Sequence, residues 1–210
     1  MKRKGILSIV SGFSGAGKGT VMKALLSKYD NYALSISATS RAPRPGEQEG
    51  REYFYKTVEQ FEEMIKHDEL IEYAQYVGNY YGTPKAYVEQ MLNEGKDVIL
   101  EIELQGALQV KAKMPETVLI FITPPTADEL KNRLIGRGTE DMATIDARLK
   151  RASEEAEFMQ QYDYILINDK LDDCVEELHH LIQSERAKVC RNIENINFIR
   201  EDVKRFSEGE

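Results

Sequence analysis

Apolar and polar positions along the chain alternate between short strand-like runs and amphipathic helical stretches. Residues 6–10 form an apolar, β-branched run of buried-strand length, and Val21, Leu25 and Leu26 beyond it share one helical face with lysines between them. Residues 32–37 predict a second strand and 50–55 a short one. Thr57-Val58-Glu59-Gln60 is a capping box that opens a helix through Ile65. Residues 70–77 alternate, Gly78-Asn79 supplies a turn, and 80–83 return, which predicts an antiparallel patch. Thr83-Pro84 reads as N-cap and first residue of a helix closed by Gly95. Residues 97–102 are a central strand, 107–113 a helix, and 118–122 a strand stopped by Pro124-Pro125. Thr126 to Glu129 opens another capped helix, and 164–167 form the last strand. Val175, Leu178, Leu181 and Ile182 give a final long helix its apolar face. Ile196, Ile199, Val203 and Phe206 recur at helical spacing, predicting a tail helix packed on the domain or on a neighbouring subunit. The alternation predicts an α/β fold, a parallel-sheet core with helices on both faces, with 41–95 inserted before the next central strand.

Composition narrows the class. A chain of 210 residues with 41% hydrophobic and 30% charged content suits one α/β domain with excursions. The net charge of −8 argues against nonspecific nucleic-acid binding. No apolar stretch approaches membrane-helix length, and Met1-Lys2-Arg3-Lys4 leads directly into a strand, so no membrane partner and a cytoplasmic location are expected. Cys174 and Cys190 are expected as reduced residues on one helical stretch. With His67, His179 and His180 they make no metal-type cluster.

The first strand and helix flank Gly12-Phe13-Ser14-Gly15-Ala16-Gly17-Lys18-Gly19-Thr20. Strand, glycine-rich turn and helix is the context of a phosphate-binding P-loop, in which curled backbone N–H groups and the helix N-terminus face an anion. Lys18 adds a full charge for the β- and γ-phosphates of a nucleotide. Glu101, at the end of a buried strand, matches a Walker-B position beside that loop. Two further groups of arginines stand out. Arg41 and Arg44 lie in the proline-stiffened loop 40–46, which suits either an anion site or a solvated basic loop. Arg133, Arg137 and Arg148 surround Gly136-Arg137-Gly138-Thr139, which suits a glycine-hinged lid over transferring phosphates or a basic helix end. Asn168-Asp169 end the last strand, where parallel sheets bind ligands.

Gly-Lys-Gly-Thr, with its hydroxyl one place later than in ordinary P-loops, resembles the nucleoside monophosphate kinases, and points to Mg²⁺ held through water near Thr20 and Glu101. Residues 37–53, Glu72 with 78–83, Arg137-Gly138-Thr139 and Asn168-Asp169 together resemble guanylate kinases, over residues 5–182. The resemblance implies a core (1–40, 96–126, 164–191), a GMP-binding α+β insertion (41–95), a helical arginine lid (127–163) and a tail (192–210) outside the shared pattern. It implies ATP and GMP as substrates, with Mg²⁺. Gly12 to Thr20 and Asn168 would bind ATP. Ser37, Glu72, Thr83 and Glu103 would surround guanine. Arg41, Arg44, Tyr53 and Tyr81 would hold the GMP phosphate, and Lys18, Arg133, Arg137 and Arg148 the transferring group. Phe13 stands where the family usually has proline, and Glu103 where it often has aspartate. Two alternatives remain open on these residues: an inactive phosphopeptide-binding relative, and a kinase for another phosphorylated small molecule.

Overall fold

Strand β1 (Leu7–Gly12) leads through the glycine-rich turn into helix α1 (Lys18–Lys28), the pair that the apolar pattern predicts. The computed structural model describes residues 4–76, 78–136, 138 and 141–207. In chain order there follow β2 (Tyr32–Leu34), β3 (Ala38–Thr39), β4 (Phe54–Tyr55), α2 (Val58–Lys66), β5 (Leu70–Tyr76), β6 (Asn79–Pro84), α3 (Lys85–Asn93), β7 (Asp97–Glu101) and α4 (Leu104–Lys113). Then come β8 (Val118–Thr123), α5 (Ala127–Gly136), α6 (Met142–Ala156), β9 (Tyr164–Ile167), α7 (Leu171–Glu185) and α8 (Ile193–Lys204).

Among the described residues the strands form two sheets. The larger is parallel throughout, in the order β2-β7-β1-β8-β9. Its central strands read as continuous apolar runs because helices cover both faces. Successive residues serve opposite layers. Leu7, Ile9, Val98 and Leu100 pack with Val88 and Leu92 of α3 and Val110 of α4. Val10, Ile99, Ile120 and Ile122 pack with Val21 and Leu25 of α1 and Val175 and Leu178 of α7. This places β1, and the turn that follows it, at the centre of the sheet. The smaller sheet, β4-β3-β6-β5, has its own core of Ala38, Phe61 and Leu70. Phe61 is fully buried and stacks on Tyr80 with ring centroids 5.1 Å apart. It is held there by α2, whose capping box forms as predicted: Gln60 N–H donates to Thr57 Oγ1 (3.2 Å) and Thr57 N–H to Gln60 Oε1 (2.9 Å).

Several elements differ from the sequence expectation, each for a tertiary reason. The second strand stops at Leu34, not 37. After one more bond, from Ser35 N–H to Ile99 O (2.8 Å), the chain leaves for the small sheet, where Ala38 and Thr39 pair with both β6 and β4. The strand expected over 50–55 is reduced to Phe54–Tyr55, because 48–51 turns back with Arg51 N–H on Gln48 O (3.2 Å). Thr83 does not cap α3. Strand β6 continues through Pro84, which pairs with Leu70 and itself precedes the helix. Helix α4 starts at Leu104 rather than 107, with Glu103 as N-cap and Ala107 N–H on Glu103 O (3.0 Å). Cys174 is buried in α7 while Cys190 is exposed in the 3-10 turn Val189–Arg191, so they share no helix. The tail is helical, as its spacing predicts, and its apolar residues are little covered. No residue of α8 is buried, and Phe198, Ile199 and Val203 are exposed.

Candidate active site

The turn after β1 requires glycine at two points. Gly12 lies at φ +153°, and a Cβ there would stand 2.1 Å from Ile122 O. Gly17, at φ +89°, is the N-cap of α1, and its Cβ would meet Asn168 Nδ2 at 2.6 Å. The glycines therefore serve both the curl and close packing against β8 and β9. Lys18 Nζ folds back to donate to Gly12 O (2.8 Å) and Phe13 O (3.2 Å), which holds the ammonium at the loop. Ser14, Gly15, Gly17, Lys18, Gly19 and Thr20 line a recess of about 330 Å³ together with Glu101. Burial raises the Glu101 carboxyl above its ordinary range, and the charge of Lys18 pulls it back down.

Phe13 turns its ring into the core, edge-on to Phe121 at 5.0 Å, so only its backbone serves the loop. Asn168 is nearly buried. Its Nδ2 donates to Ala16 O (2.8 Å), tying β9 to the loop, because a buried amide must find a partner. The arginines of α5 and α6 converge on the same place. Arg133 Nη2 donates to Asn168 O (2.9 Å) while its Nε holds Glu129 one helical turn away (2.7 Å). Arg148 Nη1 donates to Ser14 Oγ (2.6 Å). Arg137 lies outside the described residues.

A second constellation sits on the small sheet. Glu72 is 6% exposed, and its Oε1 accepts the Thr83 hydroxyl (2.7 Å) from the adjacent strand β6. Burial raises the Glu72 carboxyl, opposed by the Thr83 hydrogen bond and the charge of Lys113. Helix α4 closes over it at Gly106, where a Cβ would come within 3.2 Å of Glu72 Oε2. Arg41 lies over the Tyr53 ring at 5.3 Å, and Tyr53 meets Tyr81 at 5.9 Å. Ser37 joins this lobe through its carbonyl, which accepts Phe54 N–H (2.9 Å), and Arg44 is exposed. The structure thus brings Glu72 to Thr83 and Arg41 to Tyr53 and Tyr81. The Glu103 side chain is 74% exposed and bonded to Arg151 of α6 (2.6 Å).

Two phosphate-type sites on separate sheets, with arginines of α5 and α6 at one of them, are the geometry of a phosphoryl transferase with two substrates. The family model described as guanylate kinase matches residues 4–185. The chain belongs to the guanylate kinase family. It is 48% identical over 204 residues to the guanylate kinase of Lactococcus lactis subsp. lactis, covering 97% of this chain and all of that one. It is 53% identical over 202 residues to that of Oceanobacillus iheyensis, covering 96% and 98% of the two chains. The crystal structure of guanylate kinase from Anaplasma phagocytophilum superposes with a TM-score of 0.71 at 32% identity over 91% of each chain.

Sequence reasoning missed three residues that bond to the candidate site residues. Glu129, which holds Arg133, was legible as an i,i+4 pair on a helix that begins at Ala127. Arg151, three residues after Arg148, gave no signal, because its partner Glu103 lies on another helix terminus. Glu47 gave none either, yet it accepts from Arg41, Arg44 and Tyr55. The Arg44 N–H first, then Tyr55 and Arg41, hold its carboxyl below the usual range.

Proposed function

We infer that the chain transfers the γ-phosphoryl group of ATP to GMP, giving ADP and GDP. Family membership supports the reaction, and the buried Glu72 carboxylate is the observation that carries the choice of acceptor. Guanine offers N1–H and a 2-amino group side by side, two donors that one carboxylate accepts together. Adenine offers a bare lone pair at N1 and no 2-amino group. Ser37 and Thr83 complete the base site, Thr83 through the bond that orients Glu72. Glu103 reaches the base only by leaving Arg151. Arg41, Arg44, Tyr53 and Tyr81 hold the GMP phosphate.

A phosphate monoester with a second pKa of about 6 is an anion at neutral pH, so it needs no general base. Its oxygen attacks the γ-phosphorus as the bond to the β-bridging oxygen breaks, and the β-phosphate leaves with that electron pair. What the protein supplies is alignment and charge compensation. Residues 12–20 cradle the ATP phosphates, with Lys18 on the β- and γ-groups. Arg133, Arg148 and Arg137 surround the moving group. Arg148 reaches it by giving up Ser14, and Arg137 is assigned by its place in the sequence pattern alone. Asn168 serves ATP indirectly, by holding the loop. Thr20 and Glu101 offer hard oxygen donors in the loop recess, which suit Mg²⁺ held through its own waters. When bound, the ion offsets phosphate charge. Among the described residues no group of three or more His, Cys, Asp or Glu is placed to hold a metal ion.

We divide the chain into core (1–40, 96–126, 164–191), acceptor insertion (41–95), lid (127–163) and tail (192–210). Both substrates are free nucleotides, and we place the enzyme with them in the cytoplasm. Among the described residues no helix is long and apolar enough to cross a membrane. The test is ADP release, in a coupled assay, against a panel of nucleoside monophosphates. GMP should exceed AMP, CMP and UMP by about 10⁴-fold in kcat/KM, the scale expected when buried polar groups are left unpaired. Equal use of AMP overturns the base assignment. Saturable phosphoserine-peptide binding without ADP release would indicate the binding-module alternative.

A further inference from the structure

Glu47 stands at the centre of the acceptor loop. Arg41 Nη2 donates to both of its oxygens (3.0 Å each), Arg44 N–H to Oε2 (2.7 Å) and the Tyr55 hydroxyl to Oε2 (2.9 Å). Its own N–H closes the Pro45-Gly46 turn onto Arg44 O (3.0 Å). The pair is largely shielded, with side-chain exposures of 15% for Arg41 and 18% for Glu47. Arg41 Nη1 is engaged by Ala42 O (2.7 Å), and neither of these bonds uses Nε–H.

We propose that Glu47 is a positioning residue for the acceptor phosphate. It fixes the Arg41 guanidinium and the Arg44 peptide in the arrangement that receives the phosphate of GMP. This rests on the reading of Arg41 and Tyr53 as the phosphate site. Two effects of opposite sign compete. A carboxylate near an arriving phosphate repels it and occupies a guanidinium nitrogen, which weakens GMP binding. Holding a long, rotamer-rich arginine in place before binding removes an ordering cost, which strengthens it. The geometry favours the second effect. A carboxylate that merely stood in for phosphate would need only Arg41, whereas Glu47 is tied to the Arg44 backbone and to Tyr55 and leaves Arg41 Nε–H for the ligand.

The sign of the change in KM decides between them. Glu47→Ala should raise KM for GMP by about tenfold, with kcat and KM for ATP within about twofold, the signature of lost uniform binding. Glu47→Gln, whose amide oxygen still accepts from Arg44, should show a smaller rise in the same direction. The Glu47→Ala, Arg41→Ala double variant should raise KM by clearly less than the product of the two single effects, since Glu47 acts largely through Arg41 and retains only its hold on the Arg44 peptide once Arg41 is gone. A KM for GMP that falls or does not move in the Glu47 variants overturns the proposal, and so does a double variant with multiplied effects. Thermal midpoints are measured alongside. A rise in both KM values with a lowered midpoint in both Glu47 variants marks a general folding role and also overturns it. If instead Arg41→Ala leaves KM for GMP unchanged, it is the phosphate-site reading that fails.

Discussion

Glu72 answers two demands that conflict before substrate binds. A buried carboxylate is what guanine requires, yet burial penalises its charged form, and Thr83 and Lys113 offset only part of this. Its folded value is raised above the ordinary 4.5, so its contribution to stability is full below 4.5 and is lost as pH rises through the raised value. Glu72→Gln should therefore melt higher than wild type at pH 7, with the gap closing as pH falls towards 4.5. The same variant offers guanine one acceptor oxygen in place of two. Its kcat/KM for GMP should drop roughly tenfold to a hundredfold while the GMP-to-AMP ratio narrows. Calorimetry across pH and the nucleotide panel check the two halves, and a variant no more stable than wild type at pH 7 removes the desolvation argument. Lys18 is proposed to serve the other nucleotide. Its ammonium faces charge that moves during transfer, so Lys18→Ala should lower kcat about a hundredfold or more and leave GMP binding, measured by titration, nearly unchanged. Near-normal kcat would take Lys18 out of the mechanism. Lys18 was legible in sequence because its chemistry is local, a glycine spacing between a strand and a helix, whereas Glu72 was named only through the resemblance to a family pattern. The bond from Asn168 to the Ala16 carbonyl was not legible, because the two lie 152 positions apart. No sequence window contains both.

At the scale of elements, the acceptor lobe depends on a small core of its own. Ala38, Phe61 and Leu70 are its buried members, and Phe61 is the largest. Truncating such a ring costs about 3–5 kcal/mol, and little else in this lobe compensates. Phe61→Ala should therefore loosen residues 38–84 while the five-stranded sheet, whose two clusters share only Ile71 with the lobe's strands, stays folded. The readout is a strong rise in KM for GMP and faster limited proteolysis within the lobe, with binding of an ATP analogue retained. Equal loss of both nucleotides would show that the two sheets fold as one cooperative unit. The elements that the sequence predicted well are those with local markers: the β1 turn and α1, the Thr57 capping box, the β5 to β6 hairpin, and the apolar face of α7. Those it misplaced are set by partners elsewhere. The helix expected from 107 begins at Leu104, so Gly106 lies inside α4 where that helix presses on Glu72. Thr83 looked like a cap, but its hydroxyl is bonded to Glu72. The spacing in α8 gave its helix correctly, while its packing could not follow from spacing alone.

For the whole molecule, the two proposed nucleotide sites lie on different sheets and must meet. The ATP loop follows β1, at the centre of the parallel sheet, whereas Arg41, Tyr53, Glu72 and Tyr81 belong to the lobe built on β3 to β6. The lobe joins the parallel sheet through the short link after Leu34 and through α3, so few covalent constraints oppose its rotation as a body. Arg133 and Arg148, now engaged by Asn168 and Ser14, can exchange these neutral oxygen partners for phosphate oxygens, which form the stronger charge-assisted bonds. Binding both nucleotides should thus draw the lobe and the α5 to α6 region together over the transferring group and exclude water from it. Small-angle scattering should report a smaller radius of gyration with GMP plus a non-hydrolysable ATP analogue than without ligand. GMP alone should give a partial change, because it engages the acceptor lobe but not the arginines at the P-loop. Arg148→Ala should bind both nucleotides yet compact less and turn over slowly, since a phosphate-seeking contact from α6 is missing. An unchanged radius with both nucleotides bound would mean that the unliganded arrangement is already competent. The arginines would then act from where they stand, and Arg148→Ala would lower kcat with no change in scattering at all.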